Sequence, residues 1–223
     1  YKHAVLMLLA FLLYNDGIQT IIKMATAYGT ELGIEQNALI SAILIVQFVA
    51  FFGGMLHGWV ARRWGAKRTI MASLCVWIVV VAAAYFVQAG QQVQFYGLAV
   101  GIGLVLGGTN ALSRSLFSQM IPPGREAQYF SLYEVGERAS SPLGMAMFAA
   151  VGQATGSFRL AIISLVAFFV IGLVLMIFVP VIGPEINGAR RWIELPVGQL
   201  QPSEFLKPFF VVALAWLLSL RHR

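Results

Sequence analysis

Charge is what this sequence lacks most. Of its 223 residues, 15 are Lys or Arg and 9 are Asp or Glu, 11% in all, against 59% hydrophobic. A soluble domain gives about a quarter of its residues to charge. Too little polar surface is left to keep a globule in water, which excludes a soluble enzyme. The net charge of +6 does not point to a nucleic-acid partner, because the basic residues sit in short clusters between apolar runs. That is the pattern that orients a membrane protein. Cysteine is nearly absent as well. Cys75 stands alone inside an apolar run, so this chain can supply no disulfide, cysteine zinc site or CxxC pair. His3 and His57 lie at span ends, and neither has a second imidazole or carboxylate at ligand spacing; His222 lies in the tail. No metal and no cofactor is expected. No Ser/His/Asp or Cys/His set can be assembled, and no catalytic residue is assigned. Tyr1 is not an initiator and no cleavable signal precedes the first apolar run. The chain reads as a piece of something longer.

What is present is long apolar runs. A spanning helix takes roughly 20 residues, and apolar runs set against turn signals predict spans near 4–24, 37–57, 70–89, 95–113, 128–150 and 159–180, with a shorter helix near 205–220. The fold class is all-α integral membrane. The segment 58–69 carries Arg62, Arg63, Lys67 and Arg68 without an acid, whereas 25–36 carries Glu31 and Glu35 without a base. Basic loops stay in the cytoplasm, so six spans agree with one orientation. The seventh helix would then end outside, yet it ends in Arg221-His222-Arg223. The same rule disfavours that placement.

A charge in the hydrocarbon core is expensive and needs a partner or a water-filled cavity. Asp16, Gln19, Thr20 and Lys23 in the first span follow i, i+3, i+4, i+7 spacing, which gathers them on one helix face. Such a stripe forms either a cavity wall for a polar solute or a proton, or a structural seam in which Asp16 pairs with a base on another helix. Asn15 and Gly17 flank Asp16 and favour a locally loosened helix. The fifth span repeats the pattern with Glu134, Glu137, Arg138 and Ser141. Glu134 and Arg138 have the favoured i, i+4 orientation. Two acids and one base leave an imbalance, met by protonation of one acid, by the approach of Arg114, or by solvation near the cytoplasmic surface. In the fourth span Gly101, Gly103, Gly107 and Gly108 allow another backbone to come close or the helix to bend. No strand precedes these glycines, so a dinucleotide loop is excluded.

Three separated stretches resemble the major facilitator superfamily. They are Phe11 to Ile22, reading F-L-L-Y-N-D-G-I-Q-T-I-I; Gly107 to Phe117, reading G-G-T-N-A-L-S-R-S-L-F; and Gly124-Arg125-Glu126-Ala127 through Tyr133-Glu134. Within that superfamily they resemble the branch related to the vacuolar amino-acid effluxers of autophagy, over about residues 1–175. The resemblance implies the second six-helix half of a twelve-helix transporter, plus one further hydrophobic helix. The loop Gly58-Trp59-Val60-Ala61-Arg62-Arg63-Trp64-Gly65-Ala66-Lys67-Arg68 is similar to the superfamily's G-x-L-A-D-R-x-G-R-K loop. Gly58, Gly65, Lys67 and Arg68 fit, while Arg62 stands where the family has the acid thought to latch neighbouring helices. A latch role for that position is therefore in doubt, and orientation charge is the competing reading.

From about Val179 the sequence changes character. Asn187, Gly188, Arg191 and Trp192, followed by Gln201, Pro202, Ser203, Glu204 and Lys207, resemble a motif pair of the RodA/FtsW family of cell-wall glycan polymerases. In that family the loop is extracytoplasmic, opposite to the orientation of the six preceding spans. Either one segment fails to span, which repairs the parity, or the two parts, 1–178 and 179–223, did not evolve as one unit; the second reading is preferred.

These readings give a transporter half that exports a small polar solute, with Asp16, Gln19, Thr20 and Lys23 as cavity candidates and Glu134, Glu137 and Arg138 behind them. The expected partners are the lipid bilayer, the solute, and either a missing half or a second copy. The expected location is a bacterial inner membrane. The rival reading is a fragment of a peptidoglycan glycosyltransferase or a non-catalytic hybrid.

Overall fold

The computed structural model describes residues 2–121, 124–179, 193–195 and 198–200. Its first unit, Tyr1–Pro184, is helical: α1 (Lys2–Glu31), α2 (Gln36–Trp64), α3 (Ala66–Tyr85), α4 (Gln92–Met120), α5 (Glu126–Thr155), α6 (Phe158–Ser164) and α7 (Val166–Phe178). The expected spans 4–24, 37–57, 95–113 and 128–150 lie within single helices that run longer than the apolar stretches, whereas the helix of the span expected at 70–89 ends at Tyr85. The longer helices continue into the charged segments, because exposed helix ends tolerate polar residues. The basic segment 58–69 is thus almost wholly helical. It is broken at Gly65, whose φ of 82° lies in the left-handed region open to glycine. The sixth span is divided at Leu165, which separates α6 from α7.

Among the described residues five spans are long and apolar enough to cross a bilayer: His3–Glu31, Gln36–Trp64, Ala66–Tyr85, Gln92–Met120 and Phe158–Phe178. The 30-residue α5 has the length but carries Glu126, Glu134, Glu137 and Arg138. Its core neighbours, rather than its composition, place it in the bundle. α1 is the centre, packed on α7, α5 and α4, while α3 packs on α4, α6 and α7. Trp77 of α3 stacks on Phe169 of α7 at 5.5 Å, and Phe11 of α1 stacks on Tyr133 of α5 at 4.2 Å. α2 packs chiefly against α4 and turns Leu44, Phe48 and Phe51 outward. Large apolar side chains on an outer face suit lipid and not water. This is a multi-pass membrane bundle.

The seam between α2 and α4 uses the glycines expected to admit a second backbone. A Cβ on Gly103 would lie 2.9 Å from the Val46 carbonyl oxygen, and one on Gly107 would collide with the carbonyl of Ala50. Gly53 of α2 meets the Leu104 carbonyl in the same way. Small residues four apart let helix backbones touch in lipid, where packing rather than the hydrophobic effect holds helices together.

The second unit, Glu185–Arg223, contains β1 (Ile193–Leu195) and β2 (Gly198–Leu200), paired antiparallel with Ile193 opposite Leu200. The sequence reading put a loop there. Ile193 and Leu195 alternate with Glu194, a period of two that also suits a short strand. The tail residues Asn187, Gly188, Arg191, Trp192, Gln201, Pro202, Ser203, Glu204 and Lys207, and the helix expected near 205–220, lie outside the described residues.

Candidate functional site

Asp16 lies midway along α1 and is 1% exposed. Its Oδ2 accepts the backbone N–H of Gly144 in α5 at 2.6 Å. Two residues earlier, Pro142 sits inside α5. It lacks the N–H that would reach the Arg138 carbonyl, and its ring presses on that carbonyl. The acid therefore meets α5 where the helix ladder is already one bond short. Gly144 makes the approach possible: a Cβ there would strike Thr20 Oγ1 and come within 3.2 Å of the Asp16 carbonyl oxygen.

Of the four residues expected on one face, the structure brings two together at this crossing. Asp16 and Thr20 are both buried against Gly144, whereas Gln19 is half-buried and Lys23 exposed. The Lys23 ammonium still acts electrostatically on the Asp16 carboxylate. α1 is an uninterrupted helix through Asn15 and Gly17, contrary to the expected loosening. Gly17 instead admits Phe168 and Phe169 of α7, whose atoms would lie 3.2 Å from a Cβ there. The cost of a glycine inside a helix, about 0.5–1 kcal/mol, is offset here by the packing its notch admits.

Several polar atoms in this region are buried without a hydrogen-bond partner: Asn15 Oδ1 and Nδ2, Asp16 Oδ1, Thr20 Oγ1, and Asn110 Oδ1 in α4. Buried polar groups are nearly always paired, so these unmet atoms mark the stretch as a candidate site. Beside them Tyr14 and Ser113 tie α1 to α4 at 2.5 Å. Ser113 Oγ donates to the Thr109 carbonyl at 2.6 Å, so the Tyr14 hydroxyl is the donor. An apolar cavity of about 80 Å³ lies elsewhere, lined by Ile21, Leu39, Val81, Phe95 and Ile162 among others, and offers little to a polar solute.

The second group is a charge cluster at the end of the bundle that bears the basic α2–α3 turn. Arg114 Nη2 of α4 lies 2.5 Å from Glu134 Oε1 and 3.7 Å from Glu137 Oε2 of α5. The cluster is half-exposed, and the Arg114 guanidinium stands 5.6 Å from the Tyr133 ring centre. Glu134 therefore takes its partner from a neighbouring helix, and Arg138 is exposed. The i, i+4 pair expected within α5 is replaced because Arg114 reaches both acids at once.

In the basic turn, Lys67 Nζ donates to the carbonyls of Ile177, at 3.0 Å, and of Val179. The last carbonyls of a helix have no donor within it and attract a cation. Lys67 thus pins the end of α7 to the start of α3. Gly65 N–H donates to the Ala61 carbonyl, Gly58 faces open space, and Arg68 and Arg62 are exposed. The sequence placed His57 at a span end without a ligand partner, and its hydrogen bonds were not foreseen. Its Nδ1 donates to the Gly53 carbonyl at 2.8 Å, its Nε2 meets Ser73 Oγ of α3 at 2.7 Å, and its ring fills the notch at Gly108. The Gly108 notch and the buried Ser73 were the available signals.

The model of a family described as vacuole effluxer Atg22 like matches residues 1–183. A protein of Bacillus subtilis described as an uncharacterized MFS-type transporter, YxiO, is 34% identical over 180 residues, 81% of this chain and 42% of its own length. Autophagy-related protein 22-1 of Penicillium rubens is 30% identical over 215 residues, 86% of this chain and 36% of its own. The same-named protein of Aspergillus niger is also 30% identical, with 88% and 36% covered. The chain thus spans less than half the length of the curated relatives it matches.

Proposed function

We propose, given that this chain belongs to the vacuole effluxer Atg22-like family, that it forms one six-helix half of a secondary transporter carrying a small polar solute of the amino-acid class. The observation that supports the reading is the buried Asp16, held by one backbone N–H and flanked by the unpartnered Asn15 and Thr20. A membrane protein keeps an acid at mid-span, with polar neighbours left over, where a polar cargo passes. Transporters of this kind bind near the bilayer midplane between two halves that rock against each other. Transport therefore needs a second half or a second copy. The half-exposed cluster of Arg114, Glu134 and Glu137 suits a gate at the basic end better than the solute site.

The bacterial relative supports a bacterial plasma membrane, and the basic residues at 62–68 favour the cytoplasmic side for that turn; the family description supports a vacuolar membrane as the rival. Proteoliposomes containing the chain, alone and with the missing half supplied in trans, test the function. Amino-acid flux that Asp16→Asn abolishes is expected. Flux unchanged by that substitution removes Asp16 from the mechanism.

For the tail from about residue 179 we propose a separate unit. The family model stops at residue 183 and the compact bundle at Pro184, while the relatives of Penicillium rubens and Aspergillus niger align over 86% and 88% of the chain, past that point. The tail's likeness to the RodA/FtsW family rests on its motif pair alone. One continuous genomic read across codons 165–190 tests the junction; an interrupted read shows that the two parts belong to different genes.

A further inference from the structure

α2, α3 and α4 contain no Asp or Glu, yet the junction of α2 and α3 carries Arg62, Arg63, Lys67 and Arg68. Only Gly65 separates the two helices, so the last turn of α2 and the first turn of α3 lie at one level of the bundle. Lys67 is engaged by the carbonyls at the end of α7. Arg62, Arg63 and Arg68 are exposed, and among the described residues none of them has an acid at ion-pair distance. Glu134 and Glu137, the acids of the charge cluster at this end, are taken by Arg114. The helix dipole offsets cations in the last turn of α2, but in the first turn of α3 it favours an acid. No acid stands there and no side chain caps that helix. The junction therefore holds more positive charge than its surroundings balance.

The lipid-facing stripe of α2 leads to this charge. Phe48, Phe52, Met55 and Trp59 are all exposed and follow one another at three- and four-residue spacing, which keeps them on one face. Arg62 and Arg63 come next, three and four residues beyond Trp59, so they flank it on the following turn. The Arg63 guanidinium lies 4.7 Å over the Trp59 ring. Stacking fixes the plane of a guanidinium and leaves its N–H edge open to an oxyanion. Tryptophan belongs at the depth of the lipid headgroups.

We propose that this junction seats an anionic phospholipid of the adjoining leaflet. Its phosphate lies at Arg62 and Arg63 on the Trp59 platform, Arg68 adds charge from α3, and the acyl chains run along Met55, Phe52 and Phe48. The occupant must carry a negative end and an apolar body in line, because the stripe changes from apolar to basic along a single helix face. A soluble polyanion leaves the apolar part uncovered. A second copy docked by two-fold symmetry about the membrane normal sets arginine against arginine. The lipid seat holds whatever solute the protein carries.

The test uses the full chain in dodecyl maltoside micelles, melted while phosphatidylglycerol, phosphatidylcholine or free glycerol phosphate is titrated in. A saturable rise in Tm with phosphatidylglycerol alone is expected, weakened by added NaCl, since a ligand of the folded state stabilises it and salt screens exposed charge. Arg62→Gln with Arg63→Gln should raise the half-saturating lipid fraction about tenfold or more, as two charged contacts are lost. Trp59→Leu keeps the charge and removes the platform; it should raise that fraction about two- to fivefold, the value of an exposed cation–π contact. Arg125→Gln, which removes an exposed charge at the same end, should leave it unchanged. The proposal is overturned if phosphatidylcholine or glycerol phosphate gives the same rise, if the double variant or Trp59→Leu binds as the unaltered chain does, or if Arg125→Gln weakens binding as much as the double variant.

Discussion

The Asp16 carboxylate accepts the backbone N–H of Gly144, 2.6 Å away across the α1–α5 crossing and 128 positions along the chain. The contact joins a side-chain charge on one helix to the backbone of another.

Gly144→Leu should destabilise the chain by about 1–3 kcal/mol, the usual cost of forcing atoms into a filled core. Thermal unfolding in detergent measures it. Gly58→Ala is the control, because nothing lies within 4 Å of its added Cβ. It should raise stability by about 0.5–1 kcal/mol, since alanine holds a helix better than glycine.

Gly107→Val should separate α2 from α4. The new side chain meets the Ala50 carbonyl, which is backbone and cannot swing away. A loss of at least about 3 kcal/mol is expected, at the severe end of single substitutions. Gly97→Val, in open space inside α4, should gain about a few tenths of a kcal/mol, since valine holds a helix slightly better than glycine. Equal losses at the two positions would show that the seam does not depend on Gly107.

Arg114→Ala removes the partner of Glu134 and Glu137 together. Arg114, Glu134 and Glu137 are 34%, 44% and 27% exposed, so solvent screens the pairs and the loss should be about 1 kcal/mol at most. A double-mutant cycle with Glu134→Gln isolates the coupling. A cycle that closes to zero would mean that the Arg114–Glu134 contact contributes nothing.

Lys67→Met should free the end of α7. Hydrogen exchange at the amides of residues 174–179 should quicken about two- to fivefold, as follows from losing about 0.5–1 kcal/mol of cation–carbonyl attraction at a helix end. Arg68→Met, whose parent side chain is exposed, should leave those amides unchanged.

Much of the helical frame was legible because it rests on apolar length. Runs of about 20 hydrophobic residues have few alternatives in a membrane, and the spans around Phe11, Val46, Trp77, Val105 and Phe169 follow from them. Glycine spacing in α4 foretold a close helix neighbour but not that the neighbour is α2, since a notch does not name what fills it. Arg114 was among the candidate partners of the α5 acids, and the structure supplies the geometry that selects it. What stayed hidden was the pairing of distant residues. The backbone N–H of Gly144 carries no side-chain signal, and Lys67 seeks carbonyls that every residue possesses. The break at Leu165 leaves no trace either, because Leu165 is as apolar as its neighbours. Pro142 was the clearest overlooked sign, since a proline within a helix advertises backbone groups in want of partners.

That proline gives the α1–α5 crossing a mechanical meaning. With one rung missing from its ladder, α5 is weakest at Pro142, and the amide two residues on is the one that Asp16 accepts. A tilt of α5 about that point would move the acid's partner. A fluorophore that reports the tilt of α5 would therefore double as a gauge of what occupies the carboxylate.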